Sequence, residues 1–345
     1  MLLIKFSKEQ YLNKNSKKVL RSLLLLIFLG VGVQLLLPQL NSIQKSMYVL
    51  KNLKYWALSL AFICEFFSYV GSGYLINSIL GLFKDRISLW RSILIVMASA
   101  SIGMVAGGMF GSGAASFQWL RNSKVKTQSA ALASSLPLLM NNLAVLGISL
   151  FGVIYLLFLH ELTKLQIISF LIILLILLLV VFIIFLVLYK REKSTPVILK
   201  TVKKIYTIIK RPYNEKRLKG QLDEMYAAWD LLLSKGWKKP VLGVVMSYGF
   251  DIAALFFLFV AGNKLINPGV LLIGYGLPLL LGKAAFVIPG GVGIVEGTMV
   301  ALYDKLGVPD AVSVIVVLAY RLISFWIPTI IGFPLTFYLN HKTEE

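Results

Sequence analysis

Between residues 167 and 189 the chain is almost pure Leu, Ile, Val and Phe. That is long enough to cross the ~30 Å hydrocarbon core of a bilayer, which takes about 20 helical residues. Inside lipid every backbone N–H and C=O must be satisfied within the protein, so only helices and closed barrels are available. Further apolar stretches lie at 20–37, 55–82, 127–159, 240–260 and 312–339. None shows the short polar–apolar alternation of a barrel strand. Composition agrees, with 58% hydrophobic and only 14% charged residues, where a soluble domain carries about 25% charged. The fold class is all-α. Residues 1–345 form one polytopic integral membrane domain with about seven spanning helices.

The 35 Lys+Arg outnumber the 15 Asp+Glu, for a net charge of +20. In a soluble chain this would suggest nucleic acid. Here the basic residues crowd the loops, as cytoplasmic placement and an anionic leaflet require, and no nucleic-acid partner is expected. Lys84, Arg86, Arg91, Arg121, Lys124 and Lys126 read as cytoplasmic, as do both termini, which places the chain in the cell membrane. Lys45, Lys51 and Lys54 are the exceptions. The start, MLLIKFSKEQYLNKNSKK, is polar and basic over too many residues for a cleaved signal peptide. Residues 190–239 hold 14 Lys/Arg against 5 Asp/Glu. Their apolar residues recur at helical spacing, from Val197, Ile198 and Val202 to Tyr226, Trp229 and Leu233. Two amphipathic elbow helices on the cytoplasmic surface fit this best. Cys64 is the sole cysteine, and His160 and His341 are far apart, so no metal or other cofactor is expected.

The stretch LGKAAFVIPGGVGIVEGT (281–298) does not suit a plain span. Pro289 cannot donate a backbone hydrogen bond, and Gly290, Gly291 and Gly293 permit a sharp reversal. Irregular backbone at membrane depth survives only where protein buries it or water reaches it. The expectation is a re-entrant hairpin. Gly103, Gly107 and Gly111 fit either close helix packing or a second break across GGMFGSG (107–113). The break is favoured, because Arg121, Lys124 and Lys126 then return to the basic side. Offset by 180 residues, Gly111 and Gly113 meet Gly291 and Gly293, Ser116 meets Glu296, and Asn141 meets Arg321. The segments 92–159 and 270–339 thus read as two oppositely oriented hairpin-plus-span units. Such inverted repeats are the architecture of alternating-access transporters.

The PGGVGIVEG stretch (289–297), with Arg321 in the last span, resembles the lysylphosphatidylglycerol synthase transmembrane family. That family includes the flippase half of the multiple peptide resistance factor and stand-alone UPF0104 proteins. The resemblance covers roughly residues 20–340 and implies a flippase-like membrane fold. In the first repeat the chain departs from the family's pattern, having MFGSGA (109–114) where relatives often carry proline beside charged residues. No acyltransferase-like domain follows the last span, so lipid aminoacylation is not implied.

Charges at helix centres cost about 2.5–3.5 kcal/mol each on insertion scales, so each asks for a reason. The candidates are Glu65, Asp251, Lys283, Glu296 and Arg321, with Asn141 and Asn142 as polar partners. Three acids and two bases nearly cancel, which suggests pairing in a shared cavity. After Gly290, Gly291 and Gly293 the returning helix offers unpaired N–H groups that favour an anion. Lys283 and Arg321 would add positive charge, and a lipid phosphate is the expected ligand. Plainer readings stand beside these: Arg321 in a salt bridge to Glu296 or Asp251, Lys283 snorkelling, Glu296 capping local donors, and Glu65 and Asp251 in helix packing. The function expected is translocation of an anionic phospholipid or polyprenyl-phosphate lipid, not enzymatic catalysis. The alternative is a membrane-embedded lipid headgroup transferase. Membrane lipids are the expected partners, and homo-oligomerisation stays open.

Overall fold

The computed structural model describes residues 52–105, 108–159, 162–208, 213–285 and 289–341. The basic lead, the expected span at 20–37, Lys45, Lys51, His160 and the hairpin-tip residues 106–107 and 286–288 lie outside the described residues. The helices are α1 (Tyr55–Leu82), α2 (Leu89–Val105), α3 (Met109–Asn122), α4 (Thr127–Leu159), α5 (Lys164–Tyr189), α6 (Arg191–Ile208) and α7 (Glu215–Lys235). After them come α8 (Lys238–Ala261), α9 (Pro268–Ala284), a 3₁₀ turn (Pro289–Gly291), α10 (Ile294–Lys305), α11 (Asp310–Arg321), a π turn (Leu322–Trp326) and α12 (Ile327–His341). Every regular element among the described residues is helical. Five stretches are long and apolar enough to cross a membrane: α1, α4, α5, α8 and the run through α11 and α12.

Helix α5 shows how the apolar pattern sets packing. Thr163 and Gln166 form a reciprocal capping box at its start, which satisfies donors that would otherwise be left at the helix end. Only Phe170 and Leu177 are buried along its length. Ile173, Leu174 and Ile184 pack partly on the core, and most of the remaining Leu, Ile, Val and Phe face outward, as a lipid-facing span requires. Helix α1 instead crosses α8 at contact distance, because glycines stand where the two meet. A Cβ on Gly71 would lie 2.9 Å from the Met246 carbonyl carbon, and one on Gly243 would lie 2.8 Å from Leu75 Cα. Residue numbers rise along α1 as they fall along α8, so the pair is antiparallel. Ser72 and Ser247 join across it at 2.8 Å.

The two ends of the bundle differ. At one end Leu80, Leu120, Val125, Leu232 and Leu339 share a core, and Trp119 Nε1 donates to Asn340 Oδ1 at 2.8 Å. At the other, Lys54 N donates to Ala261 O at 3.0 Å, and Asn263 Nδ2 donates to Asn52 O at 2.7 Å. Gln166 Nε2 donates to Lys305 O at 2.8 Å, tying α5 to the foot of α10. The α2–α3 pair starts and finishes at the first end, and the α9–α10 pair at the second.

One expectation needs correction. The first break lies at the start of the stretch 107–113, not across it. Helix α2 ends at Val105, Gly108 has a φ of 64°, and Gly111 and Gly113 are helical within α3. The reason is local: Gly108 N donates to Gly103 O at 2.8 Å and Ser112 N to Gly108 O at 3.1 Å, so the chain has reversed before Gly111. Shifted by 180 residues, α1 falls on α8, α2 on α9, α3 on α10 and α4 on α11 with α12. Packing follows the same exchange, since α4 lies against α9 and α2 against α12.

The polar elbow is α6 and α7, clasped by Arg191, whose two terminal nitrogens donate to Asp230 at 2.5 and 2.6 Å. The same guanidinium lies 4.9 Å over the Tyr226 ring. The hydrogen bond from Arg191 holds the Asp230 carboxyl below its usual range. A depressed acid adds stability that is present above its unfolded pKa and is lost as pH falls through the folded value. The pair is exposed, so Asp230→Asn costs only about 0.2–1 kcal/mol at neutral pH. Thermal unfolding of both proteins across pH checks this, and the difference should vanish in acid.

Candidate functional site

The break after α9 is built from the residues that the sequence marks. Helix α9 opens on Asn267, whose side chain takes the Gly269 N–H, and on Pro268 at its first turn. Gly274 and Gly282 let α10 lie against α9. Tyr303 fills the place of a Gly274 side chain, and a Cβ on Gly282 would meet Val295 Cγ2 at 2.5 Å. Gly290, Gly291 and Gly293 have φ of 65°, 62° and 84°. Three such residues in a row of five reverse the chain, and α10 begins at Ile294.

Glu296, in the first turn of α10, does two things. Its Oε2 accepts the Gly293 N–H at 2.6 Å, capping the new helix. Its Oε1 accepts Arg321 Nε at 2.6 Å. Arg321 Nη2 then donates to Gly290 O at 3.0 Å, inside the turn, and the guanidinium stacks 4.1 Å over Phe325. Arg321 is 5% exposed and Glu296 6%. The salt-bridge and capping readings therefore both hold. An anion arriving at this helix start must displace Glu296 from Arg321 or join them. A π turn follows Arg321 directly, and such bulges frequently mark functional sites. Tyr69 Oη, from α1, donates to Ser324 O within it at 3.3 Å.

Lys283 does not join that pair. Its Nζ donates to Asn142 Oδ1 at 3.0 Å, linking the last turn of α9 to the middle of α4. Asn141, beside it, lines a small polar cavity of about 110 Å³ between α1, α2, α3 and α4. Ser72, Ser99, Ser112, Ser116 and Ser134 share that lining. Asn141 thus borders a cavity beside the first hairpin, while Asn142 reaches Lys283 of the second.

Glu65 and Asp251 lie together, on α1 and α8, within hydrogen-bonding reach of one another. Tyr275 Oη donates to Asp251 Oδ2 at 2.7 Å, and Tyr320 reaches the same carboxyl. Among the five charges, Arg321 takes Glu296 directly and Lys283 takes Asn142. Antiparallel α1 and α8 put two acids face to face, and the turn keeps Arg321 for Glu296.

A second feature has no marker in the amino-acid pattern. An apolar groove of about 700 Å³ lies between α4, α7 and α8. Phe151, Trp229, Trp237, Val245 and Ile252 are among its walls. Its lining residues are common in any apolar helix, so only their convergence reveals it. The surrounding tyrosines, Tyr69, Tyr248, Tyr275 and Tyr320, were likewise hidden among core aromatics.

Residues 18–332 match the family model described as the lysylphosphatidylglycerol synthase TM region. Among similar chains are three archaeal UPF0104 membrane proteins. That of Methanocaldococcus jannaschii is 29% identical over 40% of this chain and 43% of its own length. That of Pyrococcus horikoshii is 36% identical over 34% and 36%. That of Methanothermobacter thermautotrophicus is 29% identical over 45% and 46%. The matched segments thus span less than half of each relative. The family match covers nearly the whole chain, both hairpins and the Glu296–Arg321 clasp included, and this integral membrane protein belongs to the lysylphosphatidylglycerol synthase transmembrane-region family.

Proposed function

We propose that the protein moves an anionic lipid headgroup between leaflets through a polar crevice between its two hairpins, without covalent chemistry. The observation that carries this is the Arg321–Glu296 clasp on the broken helix. It buries a cation, an anion and a loose backbone turn where a simple anchor needs none of them. Helix α9 has 17 residues and α10 has 12. At 1.5 Å per residue they fall short of a ~30 Å hydrocarbon core, which supports re-entry rather than crossing. Antiparallel α1 and α8, and the exchange of packing partners, support an inverted repeat that rocks about the α1–α8 axis. The basic end of the bundle, with the elbow, is the cytoplasmic one. The ligand's phosphate exchanges with Glu296 on Arg321, Lys283 supplies a second positive charge, and the apolar groove keeps an acyl or isoprenoid chain out of water.

Purified protein in liposomes should carry a fluorescent anionic phospholipid to the opposite leaflet, read by quenching with an impermeant reductant. Lys283→Met, which gives up one charge-assisted hydrogen bond of about 1.5–3 kcal/mol, should slow movement about tenfold or more. Folded protein that moves no lipid defeats the reading. So does a lipid whose mass changes in place of its leaflet, the result a headgroup transferase would give.

A further inference from the structure

The Glu65–Asp251 contact is not explained by anything above. Two carboxylates side by side repel, and in a buried place both cannot stay ionised cheaply. Glu65 is only 6% exposed. Glu65 Oε2 and Asp251 Oδ1 are both shut off from solvent, and neither accepts a hydrogen bond. Buried acceptors are nearly always satisfied, so two orphans on touching carboxyls point to a missing donor. One proton on the pair supplies it, since a protonated carboxyl donates while its neighbour accepts.

We propose that Glu65 and Asp251 form a proton-binding site, sharing one proton between α1 and α8, and that this proton is the ion coupled to transport. The coupling half rests on the translocation reading; the shared proton does not. The groups facing the pair are Tyr69 on α1, Tyr248 on α8, Tyr275 on α9, and Tyr320 and Arg321 on α11. Cys64 adjoins Glu65 on its own helix. Among these Arg321 alone carries positive charge. Tyr320 touches Asp251 while its neighbour Arg321 holds the hairpin turn, so the two sites are one residue apart on α11. An anion bound to Arg321 offsets that positive charge and favours a proton on the pair. By reciprocity the proton favours the anion, so both load in one state and travel in the same direction.

Infrared spectra of the reconstituted protein at neutral pH should show a carboxylic-acid C=O band. The band should shift in heavy water and be lost in Glu65→Gln and Asp251→Asn. The glutamine amide can donate where the shared proton did, so Glu65→Gln should fold. A gradient of one pH unit should drive labelled anionic lipid toward the alkaline leaflet up to about tenfold, as one coupled proton allows. In Glu65→Gln the leaflet distribution should ignore the gradient. No acid band in the wild type, or one unchanged in both variants, overturns the shared proton. A band that behaves as expected, with lipid distribution indifferent to the gradient, overturns the coupling and leaves a structural proton. No lipid movement at all defeats coupling and translocation together, while the band still decides the proton.

Discussion

Arg321→Ala should destabilise the protein by about 3–5 kcal/mol, the usual cost of stripping one partner from a buried ion pair. The loss has three parts in this structure. Glu296, 6% exposed, is left with no cation beside it. Gly290 O loses its donor inside an irregular turn. Phe325 loses the guanidinium stacked on its face. Thermal unfolding in detergent should show the drop, and much of the protein should fail to reach the membrane. A second variant separates structure from transport. Arg321→Met with Glu296→Leu removes both charges, and replacing a buried pair by apolar residues of similar size is often neutral for stability. That double variant should fold yet move no anionic lipid, because the cation that receives the phosphate is gone. A double variant that folds and transports at the wild-type rate would reduce the clasp to scaffolding.

The spans were legible because membrane insertion is decided locally, by length and apolarity. Expected spans at 55–82 and 127–159 coincide with α1 and α4, and 167–189 and 240–260 fall within a few residues of α5 and α8. The second turn was legible for a similar reason: proline and glycine at 289–293 announce irregular backbone whatever surrounds them. The pairing of Glu296 with Arg321 was within reach, since only a few ionisable residues compete for partners inside apolar helices.

What the sequence could not show depends on which helix faces which. Glu65 and Asp251 are 186 positions apart. Charge counting suggested pairing in a shared cavity, with helix packing as the plainer role for these two, and it is the antiparallel crossing at Gly71 and Gly243 that brings them together. Asn141 and Asn142 stood out as polar partners, but only the packing of α9 on α4 assigns Asn142 to Lys283. The π turn after Arg321 has no marker in LISFW (322–326). It follows from α11 and α12 adjusting around the clasp and around Tyr69, which is a tertiary demand.

Gly291→Ala should be damaging well beyond the size of one methyl group. Its φ of 62° already costs a non-glycine residue about 1–3 kcal/mol. The new Cβ would sit 2.8 Å from Gly282 Cα and 3.0 Å from Val295 Cγ2. Neither neighbour can yield easily, because one is backbone and the other lies in the α9–α10 seam, so overpacking adds about 1–3 kcal/mol more. Gly297→Ala is the matched control. Gly297 lies within α10 with no heavy atom within 4 Å of its added Cβ, and alanine in a helix interior gains about 0.5–1 kcal/mol over glycine. Unfolding midpoints should therefore move in opposite directions for two alanines six residues apart. The same substitution at Gly291 shifts the Gly290 carbonyl that Arg321 grips, so any folded fraction should also translocate poorly. If Gly291→Ala proved as harmless as Gly297→Ala, the hairpin would not be held by close approach at its tip. The turn would then not be built to present Arg321 and Glu296 to a ligand.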